Sequence, residues 1–299
     1  MGQEKKSLTR RDFIRAGSCA AMGGLMGLPL LGAAPNKQTE KSRVVLIRDE
    51  GVLDAQGMPR PEVLERMLDD GVMALLETSD PVAGWRRLVK PSDIVGIKSN
   101  VWNYLATPPP LVQAIERRLE QAGVKKEQMD VSDRRVLQKP VFRNATALIN
   151  ARPMRTHHWS GLGTLLKNYI MFVPEPWKYH GNACERLAAI WELPHVQGKT
   201  RLNILVMLTP LFHGIGPHHY SPRYTWRYGG LILSTDPVAA DATGARIIQA
   251  KRIAYFGEER PISPPPLHIA AADTRFKLGH SRAEQIDLIR VGSTRDVLI

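Results

Sequence analysis

The sequence predicts an α/β fold in which a mostly parallel sheet carries helices on both faces. Two observations support this class. Short apolar runs alternate along the chain with longer segments whose apolar residues keep a helical period. Several helix starts are marked by proline, which is favoured there because the first helical position needs no backbone N–H. Strands that alternate with helices in this way typically pair in parallel within one sheet.

The predicted strands are short apolar runs that end at polar or charged residues. The second strand, for example, runs directly into Lys98, Ser99 and Asn100. Ligands of open α/β sheets bind beyond the carboxyl ends of the strands, so these polar ends are candidate site residues. In chain order we expect strands at residues 43–48, 93–98, 129–132, 145–150, 202–208, 231–234 and 287–291.

The predicted helices are amphipathic segments with recognisable starts and ends. Pro61 begins the first, with Gly71 as a candidate break, and Gly123 ends a later one. A Ser-Gly-Leu-Gly turn at Ser160 predicts a further capped helix that carries Lys167 and Asn168. The other helices are expected at residues 82–89, 107–123, 183–191, 237–253 and 267–273. Residues 175–200, rich in Trp, Pro and His, predict a lid or insertion.

The N-terminal segment has the pattern of a twin-arginine export signal. Thr9-Arg10-Arg11-Asp12-Phe13-Ile14-Arg15 precedes an apolar, glycine-rich run. We expect a signal peptide at residues 1–33, a single domain at residues 34–299, the Tat translocase as a partner during export, and a periplasmic location. One alternative is an uncleaved signal that tethers the protein. The other is a transmembrane anchor, although the glycines interrupt the apolar run and leave it short for a stable helix across a bilayer.

Charge and cysteine content limit the classes of partner and cofactor. The formal net charge is +12, and removing the N-terminal segment, where five basic residues outnumber two acidic ones, leaves +9. Such a protein favours anionic partners, but we find no basic stripe interleaved with aromatic residues and expect no nucleic acid. Only Cys184 follows the signal, so the chain cannot supply the four thiolates of an intrinsic iron–sulfur cluster.

Four segments in order resemble the domain of unknown function 362 family. They are Ile97-Lys98-Ser99-Asn100, then Thr107-Pro108-Pro109 to Ala122-Gly123, then Met154-Arg155-Thr156-His157 with Gly161 and Leu166-Lys167-Asn168, and last Ser234 to Asp241. The resemblance spans residues 44–291 and implies an α/β fold with a site at these motifs, without naming an activity. Arg155 replaces the usual lysine, and the ferredoxin-like cysteine motifs of some relatives are absent, as is the acidic residue that often follows the strand at Met207.

Several of these residues have the chemistry of an anion site. A guanidinium at Arg155 and a helix N-terminus at Gly161 and Gly163 suit a carboxylate or phosphate. The predicted cofactor-binding residues are Asn100, Arg155, Gly161, Gly163, Asn168 and Asp241. The structural alternative is that the cations are solvated and the glycines only form a tight turn.

The histidines suggest catalysis or metal binding. His157 is the candidate acid or base, because an imidazole titrates near neutral pH and the nearby Arg155 lowers its pKa, and Lys98 and Lys167 are candidate catalytic cations. His158, His213 and His218 are candidate ligands of a transition metal. No HExxH, HxH or carboxylate triad accompanies them, so ordinary loop histidines are the alternative.

Other residues have structural and functional interpretations side by side. Asp236 before Pro237 is a typical N-cap, whereas Asp241, one turn later, belongs either to the site or to an ion pair. Cys184 is expected to be a small core residue. An aromatic set forms either a pocket for a ring-bearing ligand or the packing of the predicted lid: Trp177, Tyr179, Tyr220, Tyr224 and Trp226.

The sequence leaves two function hypotheses open. The first is an exported enzyme, redox-linked or proton-transferring, that binds an anionic small molecule or cofactor in a Lys, Arg and His crevice. The second is a non-catalytic ligand-binding or assembly protein of a periplasmic redox system, with a redox protein as partner. Nickel-cofactor racemases share only the layout of Lys and His at a crevice in an α/β fold.

Overall fold

The structure is a computed structural model that describes residues 41–214 and 220–299. The predicted signal peptide and His218 lie outside the described residues. The strands are β1 Ser42–Arg48, β2 Val95–Lys98, β3 Met129–Ser132, β4 Ala147–His157, β5 Gly161–Gly163, β6 Thr200–Leu211, β7 Gly230–Ser234 and β8 Ile286–Gly292. The helices are α1 Pro61–Leu76, α2 Pro81–Leu88, α3 Pro109–Gln121, α4 Pro140–Arg143, α5 Leu165–Asn168, α6 Gly181–Cys184, α7 Pro237–Phe256 and α8 Leu267–Thr274.

The eight described strands form one mixed, mostly parallel sheet in the order β3-β2-β4-β6-β7-β1-β8, with β5 paired to β4. The neighbours from β3 to β6 are parallel, as are β1 and β8. Strand β7 runs antiparallel to both β6 and β1, and β5 antiparallel to β4. The predicted fold class is therefore confirmed. The parallel strands β2, β4 and β6 all end at the same edge of the sheet.

Helices cover both faces of the sheet, as the sequence predicts. Val45 and Ile47 of β1 belong to the core formed with α1, α2 and α3. Val44 and Leu46, which point the other way because side chains alternate along a strand, belong to the core formed with α5, α7 and α8. We call these two sides the α1 face and the α7 face. Lys98, Asn150 and Asn203 point to the α7 face, because their neighbours Ile97, Ile149 and Ile204 belong to the core of the α1 face.

Strand β4 is longer than the sequence predicts, and this corrects the position of the cationic residues. The prediction ended the strand at Asn150, whereas β4 continues to His157 and is buried along its whole length. Pairing with β6 on one side, and with β5 at the far end, explains the extension. The register shifts after Pro153, which lacks an N–H for the ladder. Arg155 and His157 therefore lie on the strand rather than in a loop after it.

The glycine turn after His157 does not begin a helix, so that prediction is wrong. Gly161–Gly163 is the short strand β5, and α5 begins only at Leu165. The Ser160 hydroxyl donates to the Leu162 carbonyl at 2.6 Å instead of capping a helix. The local sequence resembles a helix cap, but antiparallel pairing with β4 uses these backbone groups.

The helix predicted at residues 183–191 is a 3-10 helix at Glu185–Glu192 preceded by the short α6. Asn182, Ala183 and Cys184 have positive φ angles, which interrupts a regular helix at its expected start. Leu187, Ala188, Ile190 and Trp191 are buried in the α7-face core. A lid role for residues 175–200 stays a prediction.

Across the described ranges, no helix combines the length and apolar character that a membrane crossing requires.

Candidate functional site

A row of buried polar residues crosses four strands on the α7 face. Lys98 of β2 is in register with Asn150 of β4, which is in register with Asn203 of β6. Asn203 is in register with Ser234 of β7. All four residues have no exposed surface. Because an unpaired polar group in a core is costly, such a row persists only where its members find partners.

Asn168 of α5 is the hydrogen-bond partner of two members of the row, Lys98 and Asn150. Its Nδ2 donates to the Asn150 Oδ1 at 2.8 Å and to the Lys98 carbonyl at 3.2 Å, and its Oδ1 accepts from Lys98 Nζ at 3.2 Å. Asn150 in turn donates to the Asn203 Oδ1 at 3.1 Å and to the Leu165 carbonyl at 3.2 Å. The structure thus brings Lys98 and Asn168 together, and the network fixes α5 over the sheet.

Lys98 is the most heavily bonded member of the row. Its Nζ donates to the Ser99 carbonyl and to Asp133 Oδ1, each at 2.7 Å, and to Asn168. Burial lowers the pKa of Lys98 to about 8, while the charge of Asp133 opposes the shift. An ammonium has three donors, and all three are used here. In this arrangement Lys98 positions Asp133 and Asn168.

Asp241 of α7 holds the start of α5. Its two carboxylate oxygens accept from the backbone N–H groups of Leu165 and Leu166, both at 2.9 Å. Burial raises the pKa of Asp241 to about 7, although both hydrogen bonds favour the charged form. Asp241 therefore caps the start of α5 from a distant helix, and no described residue forms a salt bridge with it. Its predicted role in the site stays a prediction.

Three buried cations lie near this start of α5, and we call them the cationic cluster: Arg152, Arg155 and Lys167. Their exposed fractions are 3%, 5% and 3%. Burial is the first cause that lowers the pKa of Arg155 and of Lys167, the latter to about 8, and the charge of Arg152 lowers both further. Like charges held together in a core are unfavourable unless an anion accompanies them.

The guanidinium groups of the cationic cluster have donors that find no acceptor among the described residues. These atoms are Arg152 Nε together with Arg155 Nε and Nη1. No carboxylate in the described part of the chain forms a salt bridge with either arginine. Asp133 and Asp241 act on Arg152 only through longer-range attraction. The arrangement suits an oxyanion such as a carboxylate, sulfate or phosphate.

An aromatic wall stands against Arg155. The Arg155 guanidinium lies over the Trp102 ring, 4.3 Å from its centre. Trp102 packs edge-on against Tyr104 at 5.2 Å and Tyr220 at 5.7 Å, and the two tyrosines stack at 4.4 Å. We call Trp102, Tyr104 and Tyr220 the aromatic wall. Of the predicted aromatic set, Tyr220 reaches the site in this way, whereas Tyr224 and Trp226 pack on Phe212.

His157 lies at the end of β4 beside the cationic cluster. Its Nδ1 accepts from the Trp159 backbone N–H at 3.2 Å, which assigns the remaining proton to Nε2. Burial, then Lys167 and Arg155, lower the pKa of His157 far below its ordinary value. The imidazole is therefore neutral at physiological pH, and His157 can act as a hydrogen-bond donor but is a weak base. The direction of the predicted pKa change agrees with this geometry.

The two glycines of β5 lie against other parts of the chain, and their predicted role in cofactor binding stays a prediction. A Cβ at Gly163 would lie 2.7 Å from Arg152 Nη2, so the glycine makes room for a cluster arginine. Gly161 has a φ of +69°, and a Cβ there would collide with the Pro264 carbonyl oxygen. Gly163 thus leaves room for Arg152 of the cationic cluster, and Gly161 allows the backbone near Pro264 to approach β5 closely.

Hydrogen bonds of its backbone hold Asn100 near the carboxyl end of β2. Its N–H donates to Thr107 Oγ1 at 2.9 Å, and that hydroxyl donates to the Ala151 carbonyl at 2.9 Å. The Asn100 Oδ1 is buried with no partner within the described residues. This side-chain oxygen is an acceptor, so only a hydrogen-bond donor would satisfy it.

The candidate metal ligands are not brought together in the part of the chain that the structure describes. His158 stacks on His157 with ring centres 4.7 Å apart and packs at a tilt against Trp159 at 4.1 Å. His213 instead bonds Arg252 Nη1 at 3.1 Å and packs edge-on against Tyr224 and Phe256. Within residues 41–214 and 220–299, no group of three or more His, Cys, Asp or Glu side chains is placed to hold a metal ion. A bound metal stays a prediction.

Sequence reasoning missed several residues of the site. Asp133 follows β3 at the same sheet edge as Lys98, so strand-end reasoning would have found it. Trp102 and Cys184 carried no such signal. Cys184 is buried, as expected of a core residue, but its Sγ lies 3.8 Å from Lys167 Nζ, a contact that depends on the chain path of α6.

Fold and site together define an α/β protein with a buried cationic cluster at the carboxyl edge of a mostly parallel sheet. Residues 120–246 match the family model of a domain of unknown function (DUF362). The matched segment contains the cationic cluster, His157 and Asp241, whereas Lys98 and Asn100 precede it. No curated protein matches the chain. No solved structure matches it either.

Proposed function

We propose that the cationic cluster binds an anionic small molecule or cofactor through Arg155 and Arg152. The observation that carries the proposal is the pair of unpartnered donors on Arg155, Nε and Nη1, on a side chain that is 5% exposed. Buried guanidinium donors without hydrogen bonds are unfavourable, and a bound oxyanion would supply an acceptor for a donor of Arg155.

The charges around the cluster support the proposal. Lys98 is already paired with Asp133, and both carboxylate oxygens of Asp241 accept hydrogen bonds from the α5 backbone. Arg152, Arg155 and Lys167 therefore keep an excess of positive charge that no described carboxylate neutralises at short range. An anion would stabilise all three cations at once, and His157 would offer a neutral donor beside it.

Sulfate is a suitable probe because its charge does not change over the pH range in which the protein is folded. We expect isothermal titration calorimetry of the full chain to detect sulfate binding, and Arg155→Gln to weaken it about 10- to 100-fold through loss of a charged hydrogen-bond donor. Arg143→Gln is the matched control, since Arg143 is an exposed arginine of α4. Equal sulfate affinity in both variants, or none in the wild-type protein, would contradict the proposal.

A second candidate function, proton transfer, is favoured by Lys167. Its pKa of about 8 leaves a neutral amine available near physiological pH, and its Nζ lies 3.8 Å from the Cys184 thiol. The test is deuterium exchange from D2O into the C–H bonds of an organic anion that the protein binds, followed by NMR. Exchange that Lys167→Met abolishes would indicate an enzyme. Binding without exchange would favour the non-catalytic alternative of ligand delivery or assembly.

We further propose that the protein works outside the cytoplasm, after export by the twin-arginine route. The support is the sequence Thr9 to Arg15 followed by the apolar run. Replacing Arg10 and Arg11 together by lysine should retain the protein in the cytoplasmic fraction of a bacterial host. Unchanged fractionation of that double variant would contradict export by this route.

A further inference from the structure

An apolar pocket lies at the carboxyl edge of the sheet, and its residues Leu53, Val206 and Leu208 belong to the core of the α1 face. It encloses about 380 Å³ and is lined by, among others, Met58, Tyr104, Pro109, Pro153 and Leu208. Pro153 and Leu208 come from β4 and β6 near the ends of these strands. A pocket of this size holds the hydrocarbon or ring portion of a small molecule.

The aromatic wall connects this pocket to the cationic cluster. Tyr104 lines the pocket and packs against Trp102, whose ring lies under the guanidinium of Arg155. Tyr104 is 51% exposed, which is high for a tyrosine that contacts two other aromatic rings. An apolar surface on one side of the wall and unpartnered cationic donors on the other form two halves of one recognition surface.

We propose that the ligand is an amphiphilic organic acid, with its acid group on Arg155 and its apolar body in the pocket behind Tyr104. This inference rests on the proposed anion-binding function and narrows its ligand class. Charge complementarity selects the head group, because the pocket walls carry no charged side chain, whereas Arg155 lies across Trp102 from Tyr104. An inorganic anion would fill only half of the surface.

Alkyl sulfates of increasing length test the inference while the head group stays constant. We expect the affinity to rise from methyl to butyl to hexyl sulfate by about fourfold for each methylene that becomes buried. Arg155→Gln should weaken all three. Ala106→Trp, which places a large ring in the pocket from an exposed loop position, should bring the affinity for hexyl sulfate down toward that for methyl sulfate.

Ala83→Trp is the matched control, because Ala83 is an exposed alanine of α2 on the α1 face. It should leave the chain-length dependence intact, and thermal unfolding of both tryptophan variants would confirm that each is folded. Hexanol, which has the tail without the acid, should bind far more weakly than hexyl sulfate.

The outcomes separate this inference from the function on which it rests. Sulfate binding with no gain from the alkyl chain would overturn the amphiphile and leave the anion site standing. A gain that Ala106→Trp does not reduce, or hexanol binding as tight as that of hexyl sulfate, would also overturn it. If neither sulfate nor any alkyl sulfate binds, both proposals are wrong.

Discussion

Asp241 and Leu166 lie 75 residues apart in the sequence and are joined by a 2.9 Å hydrogen bond from the Leu166 backbone N–H to the Asp241 Oδ2. The other carboxylate oxygen accepts from Leu165. Through this one side chain, α7 fixes the start of α5, and α5 carries both Lys167 of the cationic cluster and Asn168, which bonds to Lys98 and Asn150.

Asp241→Asn should change the dependence of stability on pH. The folded protein raises the pKa of Asp241 from 3.8 to about 7, so the folded state binds a proton more tightly than the unfolded state. The resulting stabilisation is complete below the unfolded pKa and is lost as the pH rises through the folded one. Urea unfolding should show the wild-type protein losing stability relative to Asp241→Asn between about pH 4 and pH 7.

The control for this titration is Glu259→Gln, which removes an exposed carboxylate. It should leave the pH profile close to that of the wild-type protein. A wild-type profile parallel to that of Asp241→Asn would show that the raised pKa of Asp241 is wrong.

Lys98→Met should be strongly destabilising because it leaves the carboxylate of Asp133 without its buried partner. We expect a loss of about 3–5 kcal/mol in the free energy of unfolding, measured in urea. Adding Asp133→Asn should restore part of that loss. Lys139→Met is the matched control, since Lys139 forms a 3.0 Å ion pair with Asp130 while 42% exposed, and it should cost less than about 1 kcal/mol.

Sulfate affinity should fall as the pH rises through about 8, where Lys167 loses its charge. Below that pH the lysine is a cation and attracts the anion, whereas above it the neutral amine does not. Calorimetry at about pH 7 and about pH 9.5 should show the decline in the wild-type protein. Lys167→Met should bind more weakly at the lower pH and lose this step; a step of equal size in the variant would assign the titration to another group.

Gly163→Ala should lower sulfate affinity, whereas Gly161→Ala should lower the stability of the fold. The new Cβ at position 163 would lie 2.7 Å from Arg152 Nη2, so a flexible arginine end has to move and sulfate binding should weaken about tenfold. At position 161 the Cβ meets the Pro264 carbonyl at a positive φ, so the loss should appear as a lower Tm. Equal effects of both variants on Tm and on affinity would refute this division.

Much of the fold was predictable because it depends on local patterns. Apolar runs placed β1, β2, β3, β7 and β8 within about two residues of their observed bounds, a normal margin for strand and helix ends. Asp236 is the N-cap of α7, as predicted, and accepts from the Val238 and Ala239 N–H groups. Gly71 does not interrupt α1, since it packs closely against Leu233 of β7.

The predictions failed where a local pattern allowed two outcomes and a distant partner selected one. The Ser-Gly-Leu-Gly sequence is compatible with a helix cap, but pairing with β4 makes it a strand. The charged sequence Arg152 to His157 resembles a loop, yet it is buried in β4 because β6 is long enough to pair with it. In each case the deciding hydrogen bonds come from residues that the local window does not contain.

The sequence by itself determined the alternation of strands and helices, the excess positive charge and the residue types of the site, because these depend on composition and period. Only the tertiary structure decided how those residues act. Lys98 is saturated by Asp133 and Asn168, Asp241 is committed to the α5 backbone, and Arg155 keeps free donors beside Trp102. Whether each buried group is paired or unpaired depends on which donors and acceptors meet across the sheet. Long-range packing determines those meetings, and the local sequence does not.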